Sequence, residues 1–172
     1  MNKTNWTIDN THSEVTFKVK HMMISTVSGH FEDFQASVKT DDDSFNNASI
    51  EFSAKIDSIN TKNKDRDGHL KSDDFFNAEK YPELTFVSKS FNGEKLVGDL
   101  TIRDVTKEVT LDVDINGIAV DPYGQTKAGF EIKGEINRKD FNLTWSAVTE
   151  AGNIVVSDKV KLLIDAQFIK QS

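Results

Sequence analysis

Few residues in this chain carry side chains suited to acid–base, nucleophilic or metal chemistry. The histidines are His12, His21, His30 and His69. A zinc site takes His or carboxylate ligands on one face at short spacing, such as positions i and i+4 of a helix, and no histidine pair has that spacing. Cysteine is absent, which removes thiolate nucleophiles, disulfides and cysteine zinc sites. Asp41-Asp42-Asp43 reads as a turn, because a calcium loop needs a longer alternating ligand set with Gly and a terminal Glu. No Gly-rich phosphate loop and no Gly-x-Ser-x-Gly elbow occurs. Trp6 and Trp145 read as core or rim residues. Arg66, Arg103 and Arg138 have the planar fork that suits phosphate. Each lies beside a carboxylate (Asp65, Asp67, Asp104 or Asp140), so structural ion pairs are the stronger expectation. The sequence predicts no catalytic residue, no metal site and no cofactor.

The elements that hold these residues are set by period-two alternation, the mark of strands with one face buried. Val15, Phe17 and Val19 alternate with Glu14, Thr16, Lys18 and Lys20, and His21 continues the inward parity to a rim. Phe34, Ala36 and Val38 follow. Phe31 and Phe34 sit three apart, which predicts a bulge that re-aims the chain. Ala48, Ile50, Phe52, Ala54 and Ile56 form a third inward row. Further strands cover Leu84–Phe91, then Leu96, Gly98, Leu100 and Ile102, joined by the hairpin signal Asn92-Gly93. Val109, Leu111, Val113 and Ile115 come next, then a turn at Asp121-Pro122-Tyr123-Gly124. Beyond it, Ala128, Phe130, Ile132 and Ile136 point inward, as do Val160, Leu162, Ile164, Ala166 and Phe168 in the last strand. Strand charges fall on the opposite parity, so the carboxylates read as a solvated face and not as an acid–base pair.

Such one-sidedness predicts an all-β fold: one antiparallel barrel of about eight strands, closed so that no edge is exposed. A two-sheet sandwich shares the alternation and stays open. A helical crossing is predicted around residues 63–77, with Asn63 as its cap, Asp65 and Asp67 in its first turn, and Ser72 capping a second turn before Phe75 and Phe76. Tyr81-Pro82 ends it. No linker or repeat divides residues 1–172, so one domain is expected.

A barrel of this size is either filled by its side chains or leaves room for one small ligand. Ala48, Ala54, Gly98, Ala128, Gly134 and Ala166 are small inward residues. They either make room or receive the phenylalanines opposite, and spacing alone does not decide. The net charge of −7 gives no reason to approach nucleic acid or anionic lipid heads. Hydrophobic content of 37% is that of a globular protein. The first residues carry no apolar run of leader length, which predicts a cytoplasmic location.

The ordered motifs resemble a known family. They are Trp6-Thr7-Ile8-Asp9 with His12-Ser13, Phe17-Lys18-Val19-Lys20-His21 and Val27-Ser28-Gly29-His30-Phe31. Arg66-Asp67-Gly68-His69-Leu70, Asp74-Phe75-Phe76 and Tyr81-Pro82-Glu83-Leu84-Thr85-Phe86 follow. Leu100-Thr101-Ile102-Arg103-Asp104-Val105-Thr106-Lys107 and Asn137-Arg138-Lys139-Asp140-Phe141 complete the set. Together they resemble the YceI-like family of polyisoprenoid-binding proteins over nearly the whole chain. The resemblance implies a lipocalin-like barrel whose channel holds an isoprenoid lipid, a quinone or a polyprenyl phosphate, for storage or transport without catalysis. A packed barrel serving as a structural or protein-interaction module is the alternative. A homodimer and transient membrane contact stay open, and many relatives are exported. The expected channel lining is Phe17, Val19, Phe31, Phe52, Ile56, Phe75, Phe76, Phe86, Leu100, Ile102, Leu111, Val113, Phe130, Ile132, Leu162 and Ile164. His21, Arg66, His69 and Arg138 are the expected polar rim or head-group contacts. Asp104 and Asn142 replace glycines common in the family, and both types tolerate left-handed backbone.

Overall fold

The computed structural model describes residues 4–22, 24–41, 45–145 and 156–171. The alternating segments become β1 (Thr4–Ile8), β2 (Glu14–His21), β3 (Ser25–Phe31), β4 (Phe34–Thr40), β5 (Ser49–Lys55) and β6 (Ile59–Asn60). After the helix α1 (Lys64–Lys71) come β7 (Glu83–Phe91), β8 (Lys95–Ile102), β9 (Val105–Val120), β10 (Thr126–Asn137) and β11 (Val156–Lys170).

Three pairs of these segments are long strands broken by a bend. A 3₁₀ turn at Asn10–His12 separates β1 from β2, Glu32-Asp33 separates β3 from β4, and a 3₁₀ turn at Ile56–Ser58 separates β5 from β6. The spacing of Phe31 and Phe34 marks the second bend, and both rings stay buried across it. With each pair taken as one strand, eight antiparallel strands remain. The ring closes because β11 pairs with β10 on one edge and with both β2 and β1 on the other (Leu162 opposite Phe17, Phe168 opposite Ile8). A single closed sheet replaces the sandwich alternative and leaves one apolar face turned inward.

The two ends of the barrel differ. At the termini end, Trp6 contacts Phe45 at 5.1 Å between ring centroids, Phe45 meets Phe130 edge-on at 5.0 Å, and Phe130 meets Phe168 at 5.6 Å. Trp6 is fully buried, and its indole N–H donates to Thr40 Oγ1 at 3.3 Å. Aromatic edge-to-face contacts of this kind add to the area buried.

At the other end the wall is incomplete. The ladder between β5 and β7 stops at Lys55 opposite Glu83, β6 has no ladder to β7, and residues 61–82 leave the wall there. Asn63 caps α1 by accepting from the Arg66 backbone N–H at 3.0 Å. The helix ends at Lys71, short of the expected crossing. The expected second turn follows at residues 72–77 as hydrogen-bonded turns, but the Ser72 hydroxyl does not cap it and donates back to the His69 carbonyl. No residue of α1 is buried, so this element has little apolar area to hold it down.

Candidate functional site

The lumen contains two apolar chambers in line. The upper one, about 110 Å³, lies toward the crossing end, and the lower one, about 30 Å³, lies above the aromatic seal. Ile50, Ile132 and Phe168 border both. Ten expected channel residues line the upper chamber: Phe17, Phe31, Phe52, Phe86, Leu100, Ile102, Leu111, Ile132, Leu162 and Ile164. Val113 and Phe130 line the lower one.

Four expected lining residues sit elsewhere. Val19 is half-buried near the rim, opposite Val160 and Val27, where β11 loses register between Val156 and Val160. Ile56 is buried in the 3₁₀ turn, where its N–H donates to the Pro82 carbonyl at 2.9 Å. Phe75 packs on His69 and Trp145, at 5.1 and 5.4 Å. Phe76 stands edge-on to Phe31 at 6.3 Å, one ring behind the chamber wall. Ile115 keeps the inward parity, directly opposite Phe130, but is 41% exposed because β9 runs past the last β8 partner, Lys95 opposite Asp112. Ile8, Val15, Ala36, Ile50, Leu84, Val109, Ile136, Ala166 and Phe168 line the chamber unforeseen as site residues, though their parity already marked most of them as inward.

The small residues serve both purposes left open by their spacing. A Cβ on Gly29 would lie 2.3 Å from the Phe17 ring, and one on Gly98 would lie 2.4 Å from the Phe86 ring. The glycines therefore receive aromatic rings, as a filled barrel requires. Both rings nonetheless border open space, since Phe17 and Phe86 line the upper chamber.

The polar candidates hold the crossing end together. Arg66 donates to Thr61, through Nε to Oγ1 at 2.8 Å and through Nη2 to the carbonyl at 2.6 Å. His69 pairs with Asp74 at 2.9 Å and stands edge-on to Trp145 at 4.8 Å. Arg138 is 3% exposed and donates to the carbonyls of Leu143, Trp145, Val156 and Ser157 at 2.6–3.3 Å. Burial lowers its pKa, and the Asp158 carboxylate 3.7 Å away opposes that shift. His21 ends β2 opposite Val156 and Ser25. Arg66 and Arg138 spend their forks on backbone carbonyls and hydroxyls. Their expected neighbours Asp65, Asp67 and Asp140 are not their ion-pair partners.

Arg103 is the residue that sequence proximity misassigned. Its partners are Asp73 (Oδ1 at 3.3 Å, carbonyl at 3.2 Å), the Phe75 carbonyl at 2.9 Å and the Asn142 carbonyl at 3.5 Å, not Asp104. The left-handed backbone of that hairpin also falls on Arg103, at φ 56°, while Asn142 takes φ 61° as its type allows. Arg103 thus latches residues 73–75 to the β8–β9 turn. Its Nε is buried with no hydrogen-bond partner among the described residues, so the latch is incompletely satisfied.

A second charged cluster sits toward the termini end. Asp9 accepts from Lys127 Nζ at 2.8 Å, Thr11 Oγ1 at 2.7 Å and His12 Nδ1 at 2.9 Å. The Lys127 ammonium, helped by Thr11 and His12, holds the Asp9 carboxyl well below the usual range against the opposing pull of desolvation. Among the described residues, no group of three His, Cys, Asp or Glu side chains converges as a metal would need.

Comparison with known proteins fits this geometry. The sequence model of the YceI-like domain matches residues 6–168. The chain belongs to the YceI-like family. A UPF0312 protein of Staphylococcus aureus (strain MSSA476) is 39% identical over 166 residues, covering 96% of this chain and 97% of the relative. The crystal structure of the Campylobacter jejuni YceI protein is 38% identical with a TM-score of 0.75, covering 89% and 90% of the two chains. Burkholderia cenocepacia BcnA superposes with a TM-score of 0.79 at 25% identity, covering 93% and 98%. A polyisoprenoid binding domain from Saccharophagus degradans shares the fold, with a TM-score of 0.71 at 15% identity over 96% and 98% of the chains.

Proposed function

We propose that this YceI-like barrel binds a long isoprenoid lipid, of the quinone or polyprenyl-phosphate type, in its lumen for storage or transport and without catalysis. The observation that carries the proposal is the chemistry of the upper chamber wall. Among the described residues that line it, Thr16 alone is not apolar, and none is charged. Such a wall offers a hydrocarbon chain dispersion contacts and an escape from water, but no acid, base or nucleophile. A solved protein of the same fold is described as a polyisoprenoid binding domain, which points to the same cargo.

The volume sets a condition on this reading. A cavity of about 110 Å³ is smaller than the roughly 150 Å³ void that takes up benzene. The loaded form must therefore be wider than this one, with rings such as Phe17 and Phe31 displaced or the crossing lifted. Burial from water contributes about 0.8 kcal/mol per CH₂. The competing solvent for such a lipid is a bilayer as apolar as the lumen, so net retention is modest and cargo can be released.

The small void is also what favours the second reading, a packed barrel that acts as an interaction module. Native mass spectrometry of freshly purified protein, followed by organic extraction, separates the two. The carrier reading expects an isoprenoid adduct that disappears in Ala36→Phe, which fills the upper chamber, while far-UV circular dichroism stays unchanged. A wild-type protein that is empty and takes up no added isoprenoid sinks the carrier reading.

A further inference from the structure

The net negative charge hides a basic sector. On β2 and β11 the residues facing away from the lumen are sorted by sign along the barrel. Toward the middle, Glu14 lies opposite Asp165; toward the crossing end, Lys18 lies opposite Lys161. Lys20 and Lys159 extend the basic part, and all four lysines line one groove with Thr26 and Ser28. Like charges set directly opposite each other destabilise a sheet, so neither pair is there for stability. The carboxylates of the groove are already engaged: Glu135 lies 3.7 Å from Lys159, and Asp158 lies 3.4 Å from Lys139 and 3.7 Å from Arg138. Lys20 donates to Thr26 Oγ1 at 3.1 Å. Lys161 also lies opposite Glu135 on β10, but among the described residues neither it nor Lys18 has a carboxylate within ion-pair distance.

Beyond these lysines projects the β2–β3 hairpin, with Ile24 at its tip 82% exposed. An isoleucine presented to water at a strand turn gains nothing from nucleic acid, which offers no apolar phase. It gains from hydrocarbon at the depth of lipid head groups. Lysines near an anionic surface attract it, and an apolar insertion supplies the second signal that reversible membrane binding needs.

We propose that the outer face of β2 and β11 at the crossing end, with the Ile24 tip, docks the protein on an anionic lipid bilayer. The proposal rests on the lumen being a lipid site, because cargo drawn from a bilayer is what gives the docking its purpose. The inner faces of the same two strands carry Phe17, Leu162 and Ile164 of the upper chamber. Docking through these strands therefore sets one wall of the chamber against the membrane.

The test is flotation of the full chain with vesicles of phosphatidylcholine alone and of an equal mixture with phosphatidylglycerol, at low and high salt. Binding to the mixed vesicles is expected to exceed that to the neutral ones about tenfold or more, and to weaken with salt. The paired variant Lys18→Glu/Lys161→Glu should lose that preference, Lys18→Gln/Lys161→Gln should lose part of it, and Ile24→Asp should lower binding several-fold. Equal partition to both vesicle types overturns the proposal, as does an unaffected lysine variant, or a duplex oligonucleotide bound more tightly than the mixed vesicles. Native mass spectrometry of the same samples separates this failure from that of the carrier reading. A lysine variant that keeps its isoprenoid but ignores vesicles supports docking. Wild-type protein that floats yet never holds a lipid keeps the surface and removes the cargo.

Discussion

The two ends of this barrel are closed by opposite strategies. The termini end is plugged from inside by Trp6, Phe45, Phe91, Phe130 and Phe168, none more than 6% exposed. The crossing end is covered from outside by a helix with no buried residue, held by arginine bonds to carbonyls and by Phe75 and Phe76. Aromatic burial is costly to undo, whereas hydrogen bonds at a half-wet surface exchange readily with water. On the carrier reading proposed above, a ligand enters at the crossing end, where displacing the cover breaks fewer buried aromatic contacts than opening the sealed end would.

The largest expected effect that would sharpen this contrast is at the sealed end. Trp6→Ala should cost about 3–5 kcal/mol in urea unfolding and leave the rate of lipid exchange almost unchanged, because Trp6 belongs to the seal and lines neither chamber. Faster exchange in that variant would break the comparison. Next comes the Asp9 cluster, which ties the β9–β10 hairpin to the Asn10–His12 turn. Asp9→Asn should cost about 1–2 kcal/mol at pH 7, discounted from the buried case for partial exposure. The carboxyl of Asp9 is depressed in the folded state, so its contribution is complete above the unfolded value near 4 and declines as pH falls toward the lower folded value. Wild-type protein should therefore lose its advantage over Asp9→Asn progressively below about pH 4, and a constant gap down to pH 2 would refute the assignment. The smallest expected cost is Phe76→Ala, about 1–2 kcal/mol for a half-buried ring. Its kinetic consequence should exceed its thermodynamic one: release of a bound isoprenoid to acceptor vesicles should accelerate. An unchanged release rate would show that the crossing is not the route.

Much of this architecture is legible in the sequence, for a physical reason. Strand parity is a local property, so Phe17, Phe52, Leu100 and Ile164 declare their side of the sheet by their immediate neighbours. The Phe31–Phe34 spacing and the Asn63 cap are equally local. What escapes depends on register and distance. Lys18 faces Lys161 only because β2 closes the barrel on β11, and Arg103 finds Asp73 across a crossing that no short window spans. Ile115 misled because parity shows that a strand has two faces, not where its neighbour ends. The chamber volume was illegible as well, since it depends on how the rings of Phe17 and Phe86 lie against Gly29 and Gly98.

The two tryptophans are divided between the ends, Trp6 in the aromatic seal and Trp145 beside His69 and Phe75 under the crossing. The molecule thus carries an optical probe at each mouth. With Trp6→Phe, the remaining indole emission should change if the cover lifts away from His69, as the carrier reading requires. With Trp145→Phe, the signal stays constant until the whole sheet melts. Opening and unfolding can then be timed separately in one protein, without any attached dye.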